Sequence, residues 1–379
     1  MLLRPYGIIV DGELELGLEA LFDKGKLVEI RPHTGLPDDY VLSPAFVNAH
    51  SHLEYRGMLG KLDGFNDYWP WIREITRLKQ LESALDIEQA TLLAAQENAD
   101  AGVAWIGEHS DRSASASAMI AFGLSGVVFQ ELITFYESEN REEKWAAVEA
   151  KAAAQRSTSG PEVFLAPHAP YTVDEPSLRK FAQAVPFSIH VAETRYEREW
   201  LNEGTGPIAD FRRSAGFKDG RHRSPVAYLD FLGLAHSNAQ YVHVCDVDPK
   251  DIATLALRGV RVAHCPRSNA RLGCPIAPVR QMLESGIQVG LGMDSAASGG
   301  PIDIVAEMRS ALNQSVERGE PLTGEQVWRM ATNRNALPGL RDNTDRWIKI
   351  HAPGAHTCEE LLSSAETGKC ERLFAVNSW

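Results

Sequence analysis

The sequence predicts an α/β protein, a (β/α)8 (TIM) barrel, on two observations. Eight short apolar runs alternate with segments of helical periodicity, and ionisable residues gather where those runs end. The first run ends at His50; the others cover 103–107, 126–129, 163–166, 187–190, 240–243, 260–263 and 288–291. Between them the helical pattern covers 86–101, 142–155, 175–184, 249–257, 277–284 and 302–316. An open doubly wound sheet is the competing arrangement, and no Gly-x-Gly-x-x-Gly follows a strand.

The 379 residues suffice for one large domain with an appendage, or for two ordinary domains. Apolar residues at 44% and charged residues at 23% describe an ordinary globular composition. A formal net charge of -13 argues against a nucleic-acid-binding surface. No stretch approaches the roughly 20 apolar residues of a membrane helix, and the opening Met-Leu-Leu-Arg-Pro-Tyr has no apolar core for a signal peptide. A cytoplasmic protein with no membrane partner is therefore expected. The five cysteines are odd in number and form no Cys-x-x-Cys pair, which indicates neither a disulfide framework nor a thiolate zinc site.

Residues 1–43 read as short strands broken by turns, with Asp11-Gly12 between apolar runs as a hairpin signal. Such a unit is too thin to stand alone.

The stretch Pro44-Ala-Phe-Val-Asn-Ala-His50-Ser-His52-Leu-Glu54 begins the site. Residues two apart on a strand share a face, so both imidazoles point to one spot. His168 follows the fourth strand, His190 and His243 end the fifth and sixth, and Asp294 follows the eighth. A metal held by His50, His52, His190 and Asp294 has only nitrogen and oxygen ligands and leaves a position for water, which is a catalytic shell. Glu193, three residues after His190, is placed to take a proton from an attacking water and return it to a leaving group. His243 and Asp294 then orient or polarise the reactants.

Five segments carry a resemblance. They are Pro44 to His52, Pro167-His-Ala-Pro-Tyr171, His190-Val-Ala-Glu193, His264-Cys-Pro-Arg-Ser-Asn269 and Gly292-Met-Asp-Ser295. In this order they resemble the motifs of the amidohydrolase superfamily, in the branch of mononuclear-metal aminohydrolases and chlorohydrolases. The resemblance spans about 44 to 335. It implies a distorted barrel over 44–344, one divalent metal on the four residues named, Glu193 as proton shuttle and His243 beside the reacting carbon. It also implies a small β-sandwich built from 1–43 and 345–379, with strands at 347–350 and 372–376. The tail lacks the Gly-x-x-Ala-Asp-Leu-Val ending usual in that superfamily. His168 stands where two-metal members carry a lysine, which favours one metal. Zinc is the expected ion, and ferrous iron suits the same donors.

Within the branch, His52-Leu-Glu54, the aromatic stretch around Trp69, and Arg73 and Arg77 resemble the aminodeoxyfutalosine deaminases of menaquinone synthesis. That resemblance implies deamination at adenine C6 by metal-bound hydroxide with release of ammonia. It also implies an arginine on the substrate's benzoate, from Arg73, Arg77, Arg56 or Arg195. Glu54, Trp69, His168, Asn269 and Ser298 complete the expected substrate-binding set. A deaminase or chlorohydrolase of another purine, pterin or triazine is the alternative within the family. A non-haem iron oxygenase fits the donors, but its all-β cupin forms lack the intervening helices. A non-catalytic barrel has no need of Glu193. The expected partner is a small nucleoside-type molecule, and a homodimer is the default for a cytosolic enzyme.

Overall fold

The computed structural model describes residues 1–134, 140–183, 185–352, 354–365 and 370–373. All eight expected strands are present: β1 (Phe46–Ser51), β2 (Val103–Ser110), β3 (Ser125–Leu132), β4 (Glu162–Pro167), β5 (Phe187–Val191), β6 (Ala239–His243), β7 (Arg261–His264) and β8 (Val289–Leu291). Every residue of β1, β2, β5, β6 and β8 is buried. That fits parallel strands covered on both faces, which read as apolar runs without alternation.

The ladders form two four-stranded parallel sheets, in the orders β4-β3-β2-β1 and β5-β6-β7-β8, and not one continuous eight-stranded ladder. Isolated hydrogen bonds cross the seams. The Asp294 and Met293 amides donate to the His50 carbonyl at 2.9 and 3.0 Å, and the His190 amide donates to the His168 carbonyl at 3.0 Å. The first seam is tight because residue 292 is glycine: a Cβ there would meet the His50 Cβ at 2.8 Å.

The helices run as their periodicity predicts, with Ala84–Asp100, Arg141–Gln155, Pro249–Arg258, Val279–Glu284 and Ile304–Glu317 on the expected segments. Ser83 and Asp86 close a capping box at the first of these, and Asp248 and Asp251 do so at Pro249–Arg258. The segment expected over 175–184 is a helix at Glu175–Lys180 and a 3-10 turn at Phe181–Gln183; residue 184 lies outside the described residues. A further helix, α1 (Tyr68–Lys79), follows β1 and buries Tyr68, Trp71 and Ile75.

The N-terminal strands Gly7–Val10 and Glu13–Leu16 form the expected hairpin. Asp11 and Gly12 both have positive φ, 49° and 85°, as a two-residue turn of matching twist requires. This hairpin, Val41–Pro44, Trp347–Ile350 and Cys370–Arg372 make one five-stranded sheet; Leu2–Leu3, Leu18–Asp23 and Lys26–Pro32 make a three-stranded one. Leu3, Ile8, Ala20, Phe22 and Leu42 form one apolar cluster shared by the two. Of the strand expected at 372–376, the structure has Cys370–Arg372, and 374–379 lie outside the described residues.

Candidate metal centre

The ends of β1, β5 and β8 bring His50, His52, His190 and Asp294 together. Asp294 Oδ1 lies 3.5 Å from His50 Nε2 and 3.7 Å from His52 Nε2, and the His52 and His190 Nε2 atoms are 3.3 Å apart. His190 Nδ1 faces the His168 carbonyl at 2.7 Å, which turns Nε2 to the centre. Asp294 Oδ2 accepts from Ser268 Oγ at 2.6 Å and Ser298 Oγ at 2.9 Å, leaving Oδ1 for the imidazoles.

The backbone is strained where these groups are presented. Ala192, His243, Val244 and Asp294 have φ of 52°, 72°, 50° and 54°, against the left-handed region's cost for non-glycine residues. Each such residue costs on the order of 1–3 kcal/mol, and the positions at or just past the ends of β5, β6 and β8 are where that cost accumulates.

The residues fit a divalent metal. Both nitrogens of His50 and Nδ1 of His52 are buried with no hydrogen-bond partner among the described residues. Such groups are costly unless something ligates them. Burial holds these imidazoles in the neutral, metal-binding form: His52 is lowered to about 3 and His50 well below its ordinary value. Burial works to raise the Asp294 carboxyl, but the close approach of His50, with His52 and His243 beside it, holds it well below the usual carboxylate range.

Around the centre, His243 Nδ1 meets Asn269 Oδ1 at 2.8 Å, and its Nε2 lies 3.7 Å from Glu193 Oε1. Burial, then the charges of Asp294 and Glu197, push the Glu193 carboxyl well above the ordinary range. A cavity of about 80 Å³ opens over this group, with His168, Glu193, His243 and Asp294 in its lining. His168 Nδ1 is engaged by Thr172 Oγ1 at 2.8 Å. A larger hollow of about 670 Å³ lies at the opposite ends of the strands, against Trp105, Arg329 and Arg346, and its described lining contains neither histidine nor cysteine.

Several expected substrate contacts stand elsewhere. Arg73 and Arg77 are exposed, Arg77 pairs with Glu74, and neither lines the cavity. The reason is helical phase: with Tyr68, Trp71 and Ile75 buried, positions 73 and 77 turn to solvent. Arg56 is bidentate to Glu97, and Arg195 is 73% exposed. Trp69 packs on Phe211, outside the cavity lining. Glu54 accepts from the amides of Asp111, Arg112 and Ser113 at 2.9, 2.8 and 3.1 Å, so its carboxylate fixes the loop after β2 and does not face the cavity. Asn269 and Ser298 touch His243 and Asp294, one step from the cavity.

Three residues at the centre carry no sequence expectation. His109, on β2, and Glu131, on β3, are buried and joined by a 3.1 Å contact between Nδ1 and Oε1. Lys79, the last residue of α1, lines the cavity. It is paired with Asp111 Oδ2 at 2.6 Å and donates to the Tyr55 hydroxyl at 2.6 Å.

Parallel strands that deliver buried imidazoles and a carboxylate to one point, below a cavity holding a further acid, define a metal-dependent hydrolase. The sequence profile of the Amidohydrolase family matches residues 41–337, and the chain belongs to that family and is a hydrolase acting on C–N bonds. It is 31% identical to a 5'-deoxyadenosine deaminase of Methanothrix thermoacetophila over 88% of this chain and 79% of that protein. It is 30% identical to an aminodeoxyfutalosine deaminase of Deinococcus radiodurans over 81% and 76% of the two chains. The crystal structure of an adenosine deaminase from Xanthomonas campestris with bound zinc superposes with a TM-score of 0.81 at 21% identity, over 97% of this chain and 90% of that one. That likeness is one of fold. Among the described residues, no helix is long and apolar enough to cross a membrane.

Proposed function

We propose that this chain hydrolytically deaminates an adenine nucleoside derivative, using one divalent metal, zinc in the first reading, on His50, His52, His190 and Asp294. The observation that carries the reading is the buried convergence of those four side chains beneath a cavity that also contains Glu193 and His243. It is supported by relatives named for deaminases of two different adenine nucleosides. A divalent ion supplies the Lewis acidity that makes water a nucleophile near neutral pH. Glu193 Oε1 holds the proton of the attacking water and delivers it to the departing nitrogen; C6 gains oxygen and ammonia leaves. His243, fixed by Asn269 through Nδ1, presents Nε2 to the reacting carbon's substituents. His168 borders the bound ring.

The specific substrate proposed is 6-aminodeoxyfutalosine. The cavity wall offers aromatic and aliphatic surface from Tyr55, Trp71, Ile72 and Ile75, with Lys79 as its cation. One observation favours a second reading, a neutral 5'-substituted adenosine: Lys79 is already paired with Asp111, and neither Arg73 nor Arg77 reaches the cavity. The test compares ammonia release from aminodeoxyfutalosine, 5'-deoxyadenosine and 5'-methylthioadenosine. Preference for the benzoate-bearing nucleoside supports the first reading, and equal or better turnover of the neutral ones supports the second. Release from a pterin or triazine alone overturns both.

The seam hydrogen bonds support closure of the two half-sheets into a distorted (β/α)8 barrel over 44–344. The shared apolar cluster supports a small β-sandwich of 1–43 with 345–379.

A further inference from the structure

We propose that His109, oriented by Glu131, is an additional protein ligand of the metal centre. The inference rests on the metal-centre reading above and extends its donor set from three imidazoles to four. Ligand-capable nitrogens of His50, His52, His109 and His190 all lie within 4.8 Å of one another, and all four residues are buried. The His109 ring centroid is 4.4 Å from that of His50 and 5.0 Å from that of His190.

The hydrogen bonding of His109 follows the pattern of its neighbours. His190 and His243 each have Nδ1 engaged by a protein oxygen, His168 O and Asn269 Oδ1, which leaves Nε2 for the centre. His109 has Nδ1 engaged by Glu131 Oε1. A carboxylate there accepts a hydrogen bond from Nδ1–H, which leaves Nε2 as a bare lone pair. That Nε2 is buried and has no hydrogen-bond partner among the described residues. If the imidazole were instead charged and merely ion-paired to Glu131, Nε2–H would be a buried donor without an acceptor, which is no better satisfied. A carboxylate that fixes a histidine's tautomer from behind is the usual outer partner of a metal ligand and raises its basicity.

The test begins with the wild-type protein loaded with zinc and examined by X-ray absorption: four imidazoles are expected, and a count of three overturns the proposal. His109→Gln, loaded with cobalt after chelator treatment, is expected to lose more than about tenfold in affinity and to shift the visible cobalt bands. Glu131→Gln keeps the imidazole and is expected to weaken metal binding by about 10- to 100-fold. Unchanged affinity and unchanged cobalt spectra in either folded variant overturn the proposal, so misfolding of one still leaves the other decisive. Wild-type protein that binds no divalent metal overturns this inference together with the metal-centre reading. Wild-type protein that binds metal identically to both variants overturns this inference alone.

Discussion

His190 Nδ1 is held 2.7 Å from the carbonyl oxygen of His168, so the ring can turn only Nε2 toward His52. The bond ties the end of β5 to the residue after β4, beside the amide bond between the same two residues, across a seam where the parallel ladder is interrupted. His190, a ligand in the proposed centre, therefore also aligns the seam. His190→Ala is expected to lose bound metal and turnover together, read by elemental analysis and ammonia release on the same preparation. Full metal content with normal turnover would remove His190 from the ligand set.

Glu193 is fixed through its backbone. Its amide donates to Glu197 Oε1 at 2.8 Å, and the Ala192 amide donates to Glu197 Oε2 at 3.0 Å. The side chain lines the cavity, where the Tyr68 hydroxyl hydrogen-bonds to it. Glu193→Gln keeps shape and removes the proton carrier, so kcat is expected to fall by about 10²-fold or more with metal retained. Near-normal kcat would refute the role.

Asp294 reaches the imidazoles through one oxygen because Ser268 and Ser298 occupy the other. Removing both hydroxyls leaves the carboxylate free to rotate. The double variant Ser268→Ala/Ser298→Ala is expected to lose about 10- to 100-fold in metal affinity, measured by competition with a chromophoric chelator. An unchanged affinity would show that the seryl bonds do not orient the ligand.

The eight parallel strands were legible because buried parallel strands are apolar along their whole length, and the helices because their caps and periodicity are local signals. His50, His52, His190, His243 and Asp294 followed from the rule that barrel sites gather at strand ends. His109 and Glu131 obey the same rule but went unseen, because the second and third strands were expected to stop at 107 and 129. The structure carries them on to Ser110 and Leu132 through Glu108-His109-Ser110 and Gln130-Glu131. Those polar residues read as a loop until the buried interior that satisfies them is known. Lys79 was legible in principle: it stands four residues after Ile75 and seven after Ile72, on the face that lines the cavity, whereas Arg73 and Arg77 do not. Loop contacts such as Glu54 with the amides after β2 have no local signature at all.

Glu19, in the three-stranded sheet, gives a pH-dependent contribution to stability. Removal from water favours its acid form, but hydrogen bonds from Arg31, Thr34 and Arg4 more than offset this and lower it to about 2. Its folded value lies below the unfolded one, so the stabilisation is complete above the ordinary glutamate range, near pH 4.5, and is lost as pH falls toward 2. Glu19→Gln is expected to lower Tm at pH 7 and to leave it nearly unchanged near pH 2. Equal losses at both pH values would show that packing, and not charge, is what Glu19 supplies.

Lys79 decides between the two substrate readings. It enters the cavity from the end of α1, with its ammonium shared between Asp111 and the Tyr55 hydroxyl. A substrate carboxylate placed there would join a cation that Asp111 already neutralises, whereas a neutral nucleoside would need nothing from it. Removing Lys79 alone leaves the largely buried Asp111 carboxylate facing the more distant Arg112 at 3.9 Å, and a poorly compensated charge there is expensive. The informative variant is therefore Lys79→Met with Asp111→Asn, which deletes the pair and keeps its volume. A hydrogen bond to a charged group is worth about 1.5–3 kcal/mol, so loss of a benzoate contact is expected to lower kcat/KM for aminodeoxyfutalosine by about tenfold or more. Because binding at the remote end also positions C6, kcat is expected to fall along with the rise in KM. The same variant is expected to turn over 5'-deoxyadenosine as the wild type does. If both nucleosides lose activity equally, Lys79 and Asp111 only shape the wall and the carboxylate is not recognised there. If the benzoate-bearing nucleoside alone is unaffected, the pair plays no part in its selection and the neutral-nucleoside reading stands.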